Sequence, residues 1–112
     1  MAKLSSCIDI SRKIIGDKWK ILIICNLYNG RKRLSELMYY IDGITQKVLT
    51  ENLRELERMK IIDRKIYAEV PPRTEYFLTD IGLSVVPIIE QLISWALDYN
   101  TAVGNLDDIE DD

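Results

Sequence analysis

No histidine occurs anywhere in the 112 residues. That absence removes the usual general base, so neither a Ser/His/Asp nor a Cys/His arrangement can be assembled, and an enzyme is not expected. Cysteine is nearly as scarce. Cys7 and Cys25 form no Cys-x-x-Cys pair and have no histidine to complete a coordination sphere, so no metal is expected, and nothing in the chain calls for a cofactor. Long apolar runs are missing too. The longest uninterrupted one, Ile21–Cys25, is far short of the roughly 20 residues that span a bilayer. Met1–Cys7 also lacks the apolar stretch of about 7 to 15 residues that a secretion signal needs. The expectation is therefore a cytoplasmic protein without a membrane segment. Finally, no lysine or arginine follows Arg73.

What is present fits an ordinary globular domain. The chain is 47% apolar and 29% charged, within the normal range, and its length suits one domain that buries roughly two thirds of its unfolded surface. Charge is strongly polarised along it. All 15 basic residues lie between Lys3 and Arg73 against 11 acidic ones up to Asp80, a net of +4, whereas the segment after Asp80 holds seven acidic residues and no basic one. Such asymmetry suggests a basic working surface and an acidic tail, although a merely solvated charged face would look similar.

Pattern and punctuation give the element order. A short first helix is expected over Cys7–Ile15, stopped near Gly16. A second opens after Asp17 and is apolar nearly all round until Asn29-Gly30, so it should be the centre of the core. Ser35 is the expected N-cap of a third helix reaching Ile41. After the Asp42-Gly43 turn, Thr45 caps a fourth helix reaching about Met59, with Leu49, Leu53 and Leu56 on one side. Two helices joined by a tight glycine turn form the helix-turn-helix pattern. Strands are expected from Ile61 to about Ala68 and from Thr74 to Leu78, with Val70-Pro71-Pro72-Arg73 as a stiff hairpin tip, because proline cannot donate to a sheet ladder. Thr79 then caps a last helix from Asp80 to about Tyr99. The fold class is mainly α with a small β-hairpin (α+β), a winged helix-turn-helix with extra N- and C-terminal dimerisation helices. Residues 1–103 should form one domain and residues 104–112 an acidic, disordered tail.

At about 100° per residue, Lys47, Glu51, Arg54 and Arg58 fall opposite the leucines of the fourth helix, with Thr50 at the edge. The first residues of such a helix reach base edges. Gln46 can read adenine, Lys47 guanine or a phosphate, and Thr50 a thymine methyl or a phosphate; Thr45 lies in the same region. The plainer alternative is a solvated helix laced by Lys47/Glu51 and Glu51/Arg54 pairs. Against it, Arg31, Lys32 and Arg33 precede the pair of helices, and Arg64, Lys65 and Arg73 follow in the hairpin, suited to phosphates on both flanks. Arg73 at the tip would reach the adjacent minor groove or its phosphates. The last helix is apolar almost all round and must be covered. A second copy of the chain is the expected cover, through Ile8, Ile89, Ile93, Trp95 and Leu97, which would set two reading helices roughly 34 Å apart on an inverted repeat. A monomer whose last helix fills its own core is the alternative.

From Cys7 to about Tyr99 the sequence resembles the HxlR-type regulators. The resemblance is carried by the early cysteine, Gly16-Asp17-Lys18-Trp19-Lys20, the run Gly43 to Thr50, Leu53-Arg54-Glu55-Leu56-Glu57, the run Tyr67 to Tyr76, and Leu78-Thr79-Asp80-Ile81-Gly82. It implies a dimeric winged helix, with Gly43–Thr50 entering the major groove, Val70–Arg73 forming the wing, and repression or activation of nearby genes. Leu34 departs from it, since many relatives carry phenylalanine there. Cys7 matches a cysteine that some members use to sense oxidants or electrophiles, and a thiolate at a helix N-terminus would be stabilised; an inert residue at a dimer seam is an equal alternative. Cys25 reads as core. The expected partner is a double-stranded DNA operator, and a winged helix that binds only protein is the competing function.

Overall fold

The computed structural model describes residues 2–104. They form α1 (Ala2–Ile15), α2 (Lys18–Tyr28), α3 (Leu34–Tyr40), α4 (Gln46–Arg58), β1 (Ile62–Tyr67), β2 (Arg73–Leu78) and α5 (Asp80–Ala102). The element order matches the sequence reading, with shifted ends. α1 begins five residues before Cys7, and α5 runs past Tyr99 to Ala102. α3 starts at Leu34, so Ser35 lies inside it and is not its cap. Arg33 takes that place, its backbone N–H donating to Glu36 Oε1 at 2.8 Å, because a glutamate at the third helical position can reach back to the orphan amide. The acidic tail expected at 104–112 lies, beyond Gly104, outside the described residues.

α2 is the centre of the core, as its composition requires. Ile23, Ile24 and Leu27 pack with Leu37 and Ile41, with Leu49, Leu53 and Leu56 of α4, with Ile61 and Ile62, and with Val86 and Ile89 of α5. Asp17 starts α2 by accepting from the N–H groups of Trp19 and Lys20, which satisfies donors that a helix N-terminus leaves unpaired. β1 and β2 pair antiparallel in a register running from Ile62 opposite Leu78 to Tyr67 opposite Arg73. A single bridge from the segment before α3 to the hairpin was not legible in the sequence. Lys32 forms a bridge to Tyr76, with Lys32 N–H to Tyr76 O at 3.1 Å and Tyr76 N–H to Lys32 O at 2.8 Å, so the basic segment before α3 is built into the hairpin's sheet.

α5 is anchored at its start. Thr79 Oγ1 accepts from Gly82 N–H and faces the carbonyls of Lys60 and Ile61, and Thr79 N–H donates to Ile61 O. Only the stripe Gly82, Val86 and Ile89 is buried in the helix. The alternative, a last helix that fills its own protomer's core, is not what the structure shows: Leu92, Ile93, Trp95, Leu97 and Tyr99 are exposed in the protomer, as are Leu4, Ile8 and Ile10 of α1. By length and composition alone α5 would suffice to cross a membrane, which counting uninterrupted apolar residues missed because Ser84, Glu90, Gln91 and Ser94 break the runs. Its inner stripe is instead part of the domain core. Pro87 lies within α5 without ending it.

Candidate nucleic-acid interface

The turn between α3 and α4 is pinned by apolar residues on both sides of its polar tip. Ile41 and Ile44 are buried, and Gly43 between them has a φ of 81°, a left-handed conformation that costs glycine little. Thr45 then caps α4, its hydroxyl oxygen accepting from Val48 N–H at 3.2 Å. Thr45 is therefore committed first to starting the helix. Leu49, Asn52, Leu53 and Leu56 form the buried side of α4. Asn52 was not foreseen there; its amide donates to Val48 O at 2.9 Å. Gln46, Lys47, Glu51, Arg54 and Arg58 are exposed. Among the described residues neither Lys47/Glu51 nor Glu51/Arg54 forms an ion pair, so the laced-helix alternative lacks the contacts it relied on.

The hairpin stands beside that free face. Thr50, Arg54 and Arg58 of α4, Lys60 of the connection, and Arg64 and Tyr76 of the strands line one groove of about 530 Å³. Arg64 also pairs with Glu57 at 3.3 Å. On the other side, Arg33 and Ser35 line a second hollow of about 580 Å³ with the hairpin loop from Glu69 to Thr74. The guanidinium of Arg31 lies 4.3 Å from the ring centroid of Phe77, a cation–π contact that holds its charge at the base of the wing.

Arg73 differs from its expected placement. It is the first residue of β2 and not a free tip. Its guanidinium stacks 4.0 Å from the Tyr67 ring centroid, with Nη2 3.2 Å from Glu69 Oε2 and Nε 3.8 Å from Glu75 Oε2. Tyr67 OH in turn donates to Glu75 Oε1 at 3.1 Å. Planar stacking and two carboxylates suit an arginine better than open water does, so Arg73 braces the wing while Val70, Pro71 and Pro72 form the exposed, apolar tip.

A residue that sequence reasoning missed supports α4 from behind. Lys20 is 5% exposed, and its Nζ lies 3.1 Å from Asp17 Oδ2 and 2.6 Å from Glu55 Oε2 of α4. Burial works against the Lys20 charge, but hydrogen bonds to Glu55 and Asp17 outweigh it and hold the ammonium's pKa above its ordinary value. Burial likewise pushes the Asp17 carboxyl up, and the hydrogen bonds and charge of Lys20 with the Trp19 and Lys20 amides bring it below the usual 3.8. The signals available were its place in the Gly16–Lys20 stretch that carries the family resemblance and its position in a largely apolar helix, and neither points to Glu55. Lys20→Met is expected to cost about 2 kcal/mol in denaturant unfolding, the loss for a buried pair discounted because both carboxylates keep water contact. The signs fix the pH dependence. The Asp17 contribution is complete above pH 3.8 and is lost as pH falls through its lowered folded-state value; that of Lys20 is complete below 10.5 and is lost as pH rises through its raised one. The difference between Lys20→Met and the parent should therefore be flat across the neutral range and shrink at both ends; a difference that vanishes near pH 7 would contradict this account.

The expected dimer residues separate into two groups. Ile8, Ile93, Trp95 and Leu97 are exposed, but Ile89 is 1% exposed in the protomer's own core. Its place at a seam is corrected, because it lies on the α5 stripe that packs on α2. Cys7 is exposed, but it is the sixth residue of α1 and not at a helix N-terminus, so the expected stabilisation of its thiolate there does not apply. It lines a hollow of about 380 Å³ with Ile8, Ser11, Arg12, Ile15 and Gly16. Cys25 is half-buried, and burial followed by the charge of Glu90 pushes its thiol pKa up, in keeping with a packing role.

A helix-turn-helix whose second helix keeps a free polar face, followed by a two-stranded hairpin at its side, defines a winged helix-turn-helix protein. Residues 14–103 match the HxlR-like helix-turn-helix family, and the chain belongs to it. It is 46% identical over 94 residues to an HTH-type transcriptional regulator of Methanothermobacter thermautotrophicus, covering 84% of this chain and 72% of that one. Its fold is similar to a MarR-family transcriptional regulator from Enterococcus faecalis V583 (TM-score 0.80, 36% identity, 91% of this chain and 93% of that one). It is also similar to the redox regulator HypR in its oxidised form (TM-score 0.75, 37% identity, 81% and 94%). The protein is thus a transcriptional regulator of the winged-helix type and not an enzyme.

Proposed function

We propose that the chain acts in the cytoplasm as a homodimer that binds an inverted-repeat operator in double-stranded DNA. The observation that carries this reading is the groove shared by α4 and the hairpin, where Thr50 and Arg54 meet Arg64 and Tyr76. A duplex whose major groove takes the N-terminal turn of α4 meets the hairpin at its flank. Gln46, Lys47 and Thr50 then address base edges, while Arg31, Arg33, Arg54 and Arg64 take phosphates. Thr45 sets the start of the helix, and Arg73 acts by keeping the wing in shape. The exposed faces of α1 and α5, with Ile8, Ile93, Trp95 and Leu97, are covered by the second copy, which places the two α4 helices roughly one DNA turn apart.

Cys7 is the residue through which the regulator responds to oxidants or electrophiles. It is an exposed thiol on one of the two helices assigned to the seam, and the similar protein HypR is a redox regulator. One set of titrations tests both parts, using duplexes selected by capturing and sequencing bound genomic fragments. Gln46→Ala is expected to lower operator affinity by about 1–3 kcal/mol and change the preferred base at one position, whereas Arg33→Ala weakens operator and random DNA alike. Cys7→Ser should bind as the parent does in reductant and lose any change caused by oxidant. Equal losses on both DNAs for Gln46→Ala and Arg33→Ala would refute the division of labour, and an oxidant response that survives Cys7→Ser would exonerate the thiol. Binding that ignores salt would favour the protein-only reading, since DNA affinity falls steeply with salt.

A further inference from the structure

Gln46, Thr50, Arg54 and Arg58 follow one another at intervals of four, which makes them a single ridge slanting along α4. The ridge starts with uncharged hydrogen-bonding groups and ends with two guanidiniums. Its basic end forms one wall of the groove described above, with Arg58 on the rim that this groove shares with the α1–α2 corner. Arg64 and Tyr76, directly opposite each other across the hairpin, form the other wall, and Lys60 closes the end. Four cations therefore converge with one carboxylate, Glu57, which is engaged by Arg64 at 3.3 Å. Among the described residues, Arg54, Arg58 and Lys60 have no carboxylate within ion-pair distance.

Lys60 is placed at the end of the groove by the way α4 stops. Its φ of 64° is that of the left-handed residue in a Schellman turn, with Lys60 N–H donating to Glu57 O at 3.1 Å and Ile61 N–H to Leu56 O at 3.0 Å. The carbonyls at the end of α4 attract cations, but that attraction acts around the whole terminus and gives no reason for a second wall bearing Arg64. Converging, uncompensated cations with the hydroxyls of Thr50 and Tyr76 beside them suit a tetrahedral oxyanion. Continuity with the base-reading end of the same ridge identifies the source of that oxyanion.

We propose that the groove between α4 and the hairpin is a phosphate clamp, in which Arg58 and Lys60 join Arg54 and Arg64 to hold one backbone phosphate of the duplex in each protomer. This rests on the DNA-binding reading above. It adds two residues that reading did not need and assigns them to sequence-independent affinity.

The test uses the full chain, with operator and random duplexes of equal length titrated between 50 and 200 mM salt. Arg58→Gln with Lys60→Asn removes both charges while giving position 60 a residue that tolerates left-handed backbone. The double variant is expected to lose about tenfold or more in affinity for both duplexes, and the log–log salt slope of the dimer should shrink by about two, one phosphate per protomer. Arg58→Lys with Lys60→Arg keeps both charges and should keep the slope, which guards against a folding defect in the first variant. A steep salt response in the parent with an unchanged slope in the double variant overturns the clamp and leaves the DNA-binding reading standing. A loss confined to the operator also overturns it, because the residues would then be reading bases. No salt-dependent binding by the parent overturns both. Pyrophosphate followed by NMR shifts supplies the remaining arm: absence of saturation up to about 10 mM agrees with a clamp completed only by the duplex, and saturation well below 1 mM with an unchanged slope reassigns the groove to a free phosphate ligand.

Discussion

Gly82→Ala is expected to destabilise the protein by about 3 kcal/mol or more and to lower its Tm by roughly 10–15 °C, a large effect for the addition of one methyl group. The usual sign is opposite, since replacing glycine by alanine inside a helix stabilises by about 0.5–1 kcal/mol. Here a Cβ would stand 2.1 Å from Ile61 O, with the Ile61 carbonyl carbon at 3.1 Å and Leu78 Cδ2 at 3.2 Å. The carbonyl has little freedom to retreat. It accepts from Thr79 N–H, and Ile61 and Ile62 on either side of that peptide are buried. Relief must come from moving the start of α5 outward, which lifts Val86 and Ile89 from the core and disturbs the Thr79 cap. Thermal and denaturant unfolding followed by circular dichroism measure the change. A stability equal to or above that of the parent would show that α5 does not sit this close to the β1 entry.

Trp95→Glu combined with Ile93→Glu is expected to halve the mass in sedimentation and to reduce operator affinity by at least 10²-fold, while the protomer keeps its helix content. Trp95 is 62% exposed, stacks on Tyr99 with ring centroids 5.1 Å apart, and lies with Ile93 and Leu97 on the part of α5 beyond the buried stripe. None of these side chains belongs to the protomer core, so charging them removes apolar surface that only a partner can cover. The effect on DNA follows from linkage. Two half-sites held by one dimer gain about 10²–10⁴ in affinity from effective concentration, and a monomer has only the weaker single-site term. An unchanged mass would place the seam elsewhere, and a parent protein that is already monomeric would remove the dimer from the functional reading.

Legibility varied from element to element for physical reasons. The cap at Thr45, the glycine turn at Gly43 and the leucine row of α4 are local, and each appears in the structure where its residue type demands. Side-chain partners drawn from distant positions were not readable. Nothing local to Arg73 says that Tyr67, Glu69 and Glu75 will enclose its guanidinium, because that follows from the hairpin register. Lys20 shows the same limit: a lysine in a largely apolar helix gives no hint of Glu55, 35 positions later, as its partner. The placement of Cys7 at a helix end failed for a different reason. Its surroundings were inferred from the position of a helix end, and ends are the least determined part of a helix when strong caps are absent.

The order of elements, the polarised charge and the free polar side of α4 were set by the sequence alone, since periodicity, capping residues and turn glycines act over a few positions of chain. Tertiary structure decided which basic residues stay free and which are spent on holding the wing. It brought Lys32 into the sheet, put Ile89 in the core and left Trp95 outside it. Those outcomes depend on which segments meet, and a meeting between distant segments is a property of the packed whole that no short stretch of chain encodes.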